Sequence, residues 1–539
     1  MVPLALITDD SLLSINPMTF RVSSFLLGLP LLLSACATAP RYQPPAVSTP
    51  TAWQNAVPAD TAGSRIPSAA ETRAKAPVAS PRFGGQAPPV QAVAPARSAT
   101  DSSGTNAPAQ PQQLPQAPPE TAWWTVFNDP VLAQLEEQAL AQNFTARAAL
   151  ARVEQARARL QVADSYRTPD VTLNPSAYRT QLSGLRPVPF DVPARAITQT
   201  QYFVPVNVSY EVDVWGRIRR NIQAARADAA AAEADVQAVR LSLTADAATY
   251  YFNLRGLDAE LAVLDSARLA RVQNVQLTHA RYQAGVDNEI GYRRAQTELA
   301  TLEASLLELA RQRAGVAAAL ATVVGQPASS FALPSKGGTE LPAAPAIPPA
   351  LPAALLARRP DLRRAERQLA AANARADAAH LARRPTVQLN GFIGSQSAAL
   401  AKLPQLANGF TYYLGGGVAI PIFNGGRLRG NEQLAQAQYQ EFEAQYRGAA
   451  LTAFQDVETA LANLRLSTAQ LAAQQRALRA ARLAGRLTNV RYRSGLTNYF
   501  EVVDADRQTL EAARALAQTQ AAQLRYNVLL VRALGGSWQ

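Results

Sequence analysis

The chain has 539 residues, 48% of them hydrophobic, and a formal net charge of +12. A single cysteine excludes a disulfide framework and a cysteine zinc site, and the two histidines, His279 and His380, both lie in helical stretches and read as ordinary helix residues. The basic residues are nearly all arginine, spread along helical stretches with no groove-reading motif and no basic–aromatic interleave, so they read as solvated helix faces and not as a nucleic-acid surface.

In chain order, the first feature is the apolar run from Phe25 to Ala35, of signal-peptide length and too short to cross a bilayer as a helix. Arg21 supplies a small positive n-region, and Met18 makes a more ordinary start than Met1. Residues 1–35 therefore read as a signal peptide. Leu33-Ser34-Ala35-Cys36 resembles a bacterial lipobox, which implies a lipidated Cys36 at the mature N-terminus. Ala37 in the next position implies sorting to the outer membrane. No later segment has about 18 uninterrupted apolar residues, so any membrane crossing must be by strands. Residues 36–120 are rich in Pro, Ala, Ser, Thr and Gln, with few large apolar side chains. Such a segment buries too little surface to offset its ordering entropy, and it is expected to be a disordered tether behind the lipid.

From there the chain is written twice. Arg281-Tyr282-Gln283-Ala284-Gly285 returns as Arg491-Tyr492-Arg493-Ser494-Gly495, an offset of 495 − 285 = 210. Gly216-Arg217-Ile218-Arg219 and Gly325 return at the same offset. A period this long is no solenoid repeat. It marks a duplicated half-domain: residues 121–325, a Pro-rich linker over 326–352, and residues 353–539.

Each half opens on helical spacing, in the first half over 131–165 through Leu132, Leu135, Leu140, Leu150, Val153 and Leu160. The period then becomes two. Tyr202, Val204, Val206, Val208, Tyr210, Val212 and Val214 fall on one face, and Pro205, Asn207, Ser209, Glu211 and Asp213 on the other. Val171 and Leu173 begin a shorter partner. The second half gives Val387 to Ile393 and Phe410 to Ile420. Four strands per chain with apolar-out, polar-in alternation fit a water-filled transmembrane barrel better than a soluble sandwich. Four strands cannot close a barrel, so oligomerisation follows, with eight strands from two chains or twelve from three.

Proline-free heptad stretches predict long helices from Arg217 to about Gln283 and from Arg427 to about Tyr492, each ending near a glycine, Gly285 or Gly495, suited to a left-handed cap. Ala247 breaks the first seam as a stutter does. Asn288 and Asn498 are positioned to cap returning helices, with Glu501 completing a capping box.

Arg358-Arg359-Pro360-Asp361-Leu362-Arg363-Arg364-Ala365-Glu366 resembles the signature of the TolC/OprM/NodT-like outer-membrane efflux proteins. Trp123-Trp124-Thr125-Val126-Phe127-Asn128-Asp129-Pro130 is similar to the start of the mature core in the lipoprotein branch. The paired Arg-Tyr-x-x-Gly tips and Val502-Val503-Asp504-Ala505 resemble the family's tip and aperture motif. The resemblance covers about residues 121–539. Departures are the long tether and the first tip, which reads Ile290-Gly291-Tyr292-Arg293-Arg294.

The resemblance implies a mainly α fold with a transmembrane β-barrel, built as a homotrimer. Its twelve strands close an outer-membrane barrel that continues into a long periplasmic α-helical barrel. It implies a tripartite efflux pump, in which the tips meet a periplasmic membrane-fusion adaptor and an inner-membrane RND-type transporter. The candidate contact residues are Arg281, Tyr282, Gly285, Arg491, Tyr492 and Gly495. It assigns Phe500 and Asp504 to rings at the periplasmic aperture, with Tyr492 and Arg507 as latch residues. The repeat partner of Asp504 is Arg294 (504 − 210 = 294), a candidate ion-pair partner. Alternatives are a duct for type I protein secretion and a structural coiled-coil lipoprotein or adhesin. No phosphate loop, nucleophile elbow or His/Cys metal spacing is present, so the chain reads as a channel and not an enzyme, with no cofactor and no metal.

Overall fold

The computed structural model describes residues 42–45, 49–50, 53–55, 122–185, 196–334, 341–345, 347–348 and 352–536. Cys36 and the signal peptide lie outside them. The chain divides into two compact units.

One unit, built chiefly from Arg167–Arg219 and Asp377–Arg429, holds the strands. These are β1 (Asp170–Leu173), β2 (Ser176–Leu182), β3 (Ile197–Val212), β4 (Thr386–Ser397) and β5 (Phe410–Ala419), all paired antiparallel. β1 and β2 both pair with β3 and are two segments of one line, interrupted at Asn174-Pro175, where proline has no amide to donate. The expected four strands thus become four lines in five segments, ordered β1/β2, β3, β4, β5. Among the described residues, β1/β2 and β5 pair on one side only. β3 starts at Ile197, ahead of the expected Tyr202, because Thr198-Gln199-Thr200 carries no apolar alternation but still finds partners on β2.

The register aligns the apolar positions of the lines. Val171 faces Val208, Val208 faces Gly391, and Gly391 faces Leu414. Val206 faces Ile393, which faces Tyr412. Directly opposed residues share a face, so one face is apolar across all four lines as far as Tyr202; beyond it, where β2 pairs with the start of β3, Arg179 and Thr200 take that face. Within the chain it is uncovered: Leu414 is 84% and Tyr412 71% exposed.

The other unit is helical: α1 (Pro130–Gln142), α2 (Phe144–Ser165), α3 (Arg217–Gln283), α4 (Glu289–Val323), α5 (Pro352–Arg358), α6 (Pro360–Leu381), α7 (Arg427–Arg493) and α8 (Tyr499–Ala533). The duplication is quantitative. α3 and α7 each have 67 residues, α4 and α8 each 35. At 1.5 Å per residue the longer pair run about 100 Å. The α3 seam is as spaced in the sequence: Ile222, Ala229, Val236 and Leu243 are buried and Ala225, Ala232 and Val239 half-buried. Beyond the stutter at Ala247, α3 is enclosed on most sides, through Ala248, Tyr251, Phe252 and Leu254. No helix among the described residues is long and apolar enough to cross a membrane.

The Trp123–Pro130 motif is a packing and capping device. Trp123 and Phe127 are buried, and the Trp123 indole donates to Thr244 Oγ1 at 3.1 Å. Asp129 Oδ1 accepts the Val131 and Leu132 amides at the start of α1, and its Oδ2 accepts the Tyr251 hydroxyl at 2.6 Å. The 131–165 helix is corrected to two. Asn143 breaks it, its Oδ1 accepting the Thr145 and Ala146 amides and its Nδ2 donating to the Val323 carbonyl at 2.8 Å. The buried face of α2 runs through Ala146, Ala149, Val153 and Ala156, leaving the expected core residue Leu150 exposed.

The tether expectation is corrected in one place. Trp53 is buried against Phe454 on α7, with ring centroids 6.2 Å apart. Glu458, one turn on, accepts the Gln54 amide at 2.6 Å, the Asn55 amide at 3.2 Å and the Asn55 side chain at 2.9 Å. Composition averaged over 36–120 hides a single large aromatic with a place in the core.

Candidate gate and docking tips

The two hairpin tips are built alike. Gly285 (φ +67°) and Gly495 (φ +74°) follow α3 and α7 in the left-handed region. At the first tip the Gly285 amide donates to the Tyr282 carbonyl and the Val286 amide to the Arg281 carbonyl, each at 3.0 Å. At the second, the Gly495 amide donates to the Tyr492 carbonyl at 3.0 Å and the Leu496 amide to the Arg491 carbonyl at 2.9 Å. This double bond pattern terminates a helix through a residue with positive φ, which glycine adopts without strain. Asn288 Oδ1 then accepts the Gly291 amide and Asn498 Oδ1 the Glu501 amide, each at 3.3 Å, starting the returning helices.

The repeat-related tyrosines part company. Tyr492 is 2% exposed, packed with Ala295, Tyr499 and Val502. Arg281 stands over its ring at 4.7 Å, and its hydroxyl reaches Asp287 Oδ2 at 3.4 Å. Tyr492 thus joins the two hairpins of one chain. Burial pushes its hydroxyl above the ordinary tyrosine range and that of Tyr499 up to about 12, so both are neutral donors at physiological pH. Tyr282 is instead exposed and stacks on Tyr292 at 6.4 Å, with His279 on the other ring contact at 4.7 Å. Arg491 is exposed at the second tip.

Phe500 and Asp504 lie one turn apart on α8, both exposed. The Arg294–Asp504 pair drawn from the repeat is not made within the chain. Arg294 stands over the Phe500 ring at 5.4 Å, and Asp504 accepts from Gln508 Nε2 at 2.8 Å. A guanidinium gains a ring face there while its edge stays hydrated. Arg507 pairs with Glu298, which is buried and also accepts from Arg271 at 3.2 Å. Arg271 and Glu298 are invisible to the repeat comparison, because their counterparts at the 210 offset are Ala481 and Gln508.

The Arg358–Glu366 signature lies elsewhere, on α5 and α6. Arg359 is buried, pairs with Asp361 at 2.7 Å and Asp456 at 3.0 Å, and donates to the Ala533 carbonyl at 3.3 Å. It clamps α6 to α7 and α8 beside a cavity of about 500 Å³. Its hydrogen bonds and ion pairs outweigh its burial, and the Asp361 carboxyl is held below its usual range by the same partner. Among the described residues no acidic, His and Cys side chains gather as a metal site.

An uncovered antiparallel sheet with one apolar face and a duplicated set of long hairpins with matched tips define an outer-membrane efflux channel. The profile of outer membrane efflux proteins matches residues 135–326 and 351–536, and the chain belongs to that family. It is 33% identical over 426 residues to the pyoverdine export outer membrane protein OpmQ of Pseudomonas putida, covering 79% of this chain and 90% of that one. It is 30% identical over 423 residues to SilC of Salmonella typhimurium, named a probable outer membrane lipoprotein, covering 78% of this chain and 88% of that one. The solved outer-membrane channel OprN superposes with a TM-score of 0.73 at 31% identity, covering 80% of this chain and 95% of that one.

Proposed function

We propose that this channel is the exit duct of a tripartite efflux pump for small solutes. In this reading three copies close a twelve-strand barrel in the outer membrane, the long hairpins form a periplasmic tube, and Cys36 carries the lipid. The carrying observation is the sheet: among the described residues it has four lines, two free edges and one largely apolar face. Free edges are not tolerated in lipid, so copies must close on one another. Twelve strands leave a water-filled lumen, and smaller barrels fill with side chains. The Arg281, Tyr282, Gly285, Arg491, Tyr492 and Gly495 tips would then meet an adaptor joined to an inner-membrane RND-type transporter. OpmQ is named for pyoverdine export, which favours small solutes over a protein-secretion duct.

In a trimer, Phe500 and Asp504 would form the periplasmic aperture, three rings excluding water and three carboxylates favouring cations. Tyr492 and Arg507, held by Asp287 and Glu298, would fix the closed hairpins. Arg507 is exposed where Glu298 is buried, so water screens part of that ion pair and a partner could release it. The test is single-channel recording of the purified oligomer in planar bilayers. Phe500→Ala with Asp504→Ala is expected to raise conductance and to admit large antibiotics in cells. Conductance and permeability equal to wild type would put the aperture elsewhere.

A further inference from the structure

The sheet face opposite the apolar one was expected to be polar, and it carries an aromatic side chain from every line. Tyr178 on β2 faces Gln201, two residues from Phe203 on β3 and on the same face. Phe392 on β4 faces Tyr413 on β5 and also Asn207, four residues from Phe203. Phe203 and Phe392 meet edge to face at 5.3 Å and 82°, and Phe392 stacks on Tyr413 at 5.9 Å and 28°. Tyr413 leans along its own strand over Gly415, where an added Cβ would overlap the tyrosine hydroxyl. Gly415 therefore lets that ring lie along the sheet and not stand out from it.

These rings are not a packed core. Tyr413 is 54% and Tyr178 42% exposed, and Phe203 and Phe392 are half-buried and in contact with each other. Around them are side-chain amides and hydroxyls such as Asn207, Asn390 and Gln396. The charges this face carries within the strands, Asp170 and Glu211, are both acidic and both lie at one end of the sheet. A flat row of ring faces in an amide setting offers stacking without ion pairing. The negative ring faces and Asp170 disfavour anions, while Glu211 is already paired with Arg217 at 2.8 Å.

We infer that Tyr178, Phe203, Phe392 and Tyr413 form a stacking strip for flat aromatic solutes, neutral or cationic, on the wall of the pore; this rests on the reading that the polar face lines the lumen. The probe is ethidium, a planar aromatic cation, compared with tetraethylammonium, a cation of equal charge without rings. In planar-bilayer recordings of the full-length oligomer, ethidium produces transient blocks whose dwell time depends on the strip, and tetraethylammonium at the same concentration does not. Phe203→Leu with Phe392→Leu shortens the ethidium dwell about tenfold, the scale of stacking contacts between aromatic rings. Phe392→Tyr retains it. A folded control is kept by migration of each variant as the wild-type oligomer. Equal block by both cations, or an unchanged dwell in the double variant, overturns the strip. Cysteines at Asn207 and Val206, probed with a membrane-impermeant thiol reagent, separate the two levels. Labelling of Val206→Cys and not Asn207→Cys overturns the lumen reading and the strip with it. Labelling of Asn207→Cys with ring-independent block overturns the strip alone. Protection of Phe392→Cys while Asn207→Cys labels also overturns it, because another segment then covers the rings.

Discussion

Replacing Trp53 by Ala is expected to release residues 53–55 from α7 while the helices stay folded. The indole is 8% exposed, and burying a tryptophan removes about 150–250 Å² from water, about 4–6 kcal/mol at ~25 cal/mol/Å². Ordering residues 53–55 takes back about 1.5 kcal/mol for each of them. The surplus comes from Glu458, whose carboxylate accepts three hydrogen bonds from Gln54 and Asn55, partly screened by water and worth about 1–3 kcal/mol together. Net docking is therefore about 3 kcal/mol, or roughly a hundredfold protection against hydrogen exchange. The amides of Gln54 and Asn55 are themselves the donors, so exchange read at those residues reports the clasp directly. They are expected to exchange about a hundredfold slowly in wild type, at the free rate in Trp53→Ala, and in between in Glu458→Gln. Free-rate exchange in the wild-type protein, or retained protection in Trp53→Ala, would refute the argument.

An added Cβ at Gly285 or Gly495 meets no heavy atom within 4 Å, so the cost of substitution is backbone strain alone: small for Asn and about 1–2 kcal/mol for Ala, with β-branched Val worst. Efflux of a fluorescent dye should fall in that order; equal losses in all three would assign the glycines to a contact surface where any side chain obstructs docking. Asp258 is buried and pairs with Arg255 at 3.2 Å and Arg313 at 2.6 Å, so Asp258→Asn should destabilise by about 3–5 kcal/mol, and an unchanged thermal midpoint would count against that. Glu136 is fully buried, and neither carboxyl oxygen has a hydrogen-bond partner. Burial raises its pKa well above the usual range, and the Ala248 backbone opposes this only weakly because it lies outside hydrogen-bonding geometry. A raised folded pKa means that the unfolded chain loses its proton first, so stability falls as pH rises from the ordinary carboxylate range of about 4.3. Glu136→Met should remove that slope and raise the thermal midpoint at pH 8 more than at pH 5; a larger gain at pH 5 would reverse the sign of the argument.

What was legible in the sequence was whatever repeats or alternates. The ends of α3 and α7, the two glycine caps and the alignment of Val206, Ile393 and Tyr412 on one face all follow from periods of two, of seven and of 210 residues. What was missed depends on single contacts. β2 reads Ser-Ala-Tyr-Arg-Thr-Gln-Leu and owes its conformation to pairing with β3, not to its pattern. Asn143 looks like any polar residue on a helix until the Val323 carbonyl is beside it. The tip shows both kinds of outcome: Tyr492 stood out by repetition, but its roof, Arg281, and its acceptor, Asp287, are set by how the hairpins pack. Phe203, Phe392 and Tyr413 interrupt the polar half of the alternation, and only their contacts across the strands show that they belong together.

The unpaired sides of β1/β2 and β5 also constrain how copies come together. Joining chains edge to edge in a row consumes one edge from each, so a row of any length still exposes two. A dimer therefore relieves no more of the problem per assembly than a single chain does, and a third copy added in line changes nothing. Only the step that joins the last chain to the first removes both remaining edges at once. In the proposed ring every junction pairs the same length of backbone, but the closing one forms within an assembly already held together and immobilises no further chain, so half-assembled rings should be scarce at equilibrium. The time between synthesis and closure is when this chain is most open to pairing with the wrong strand.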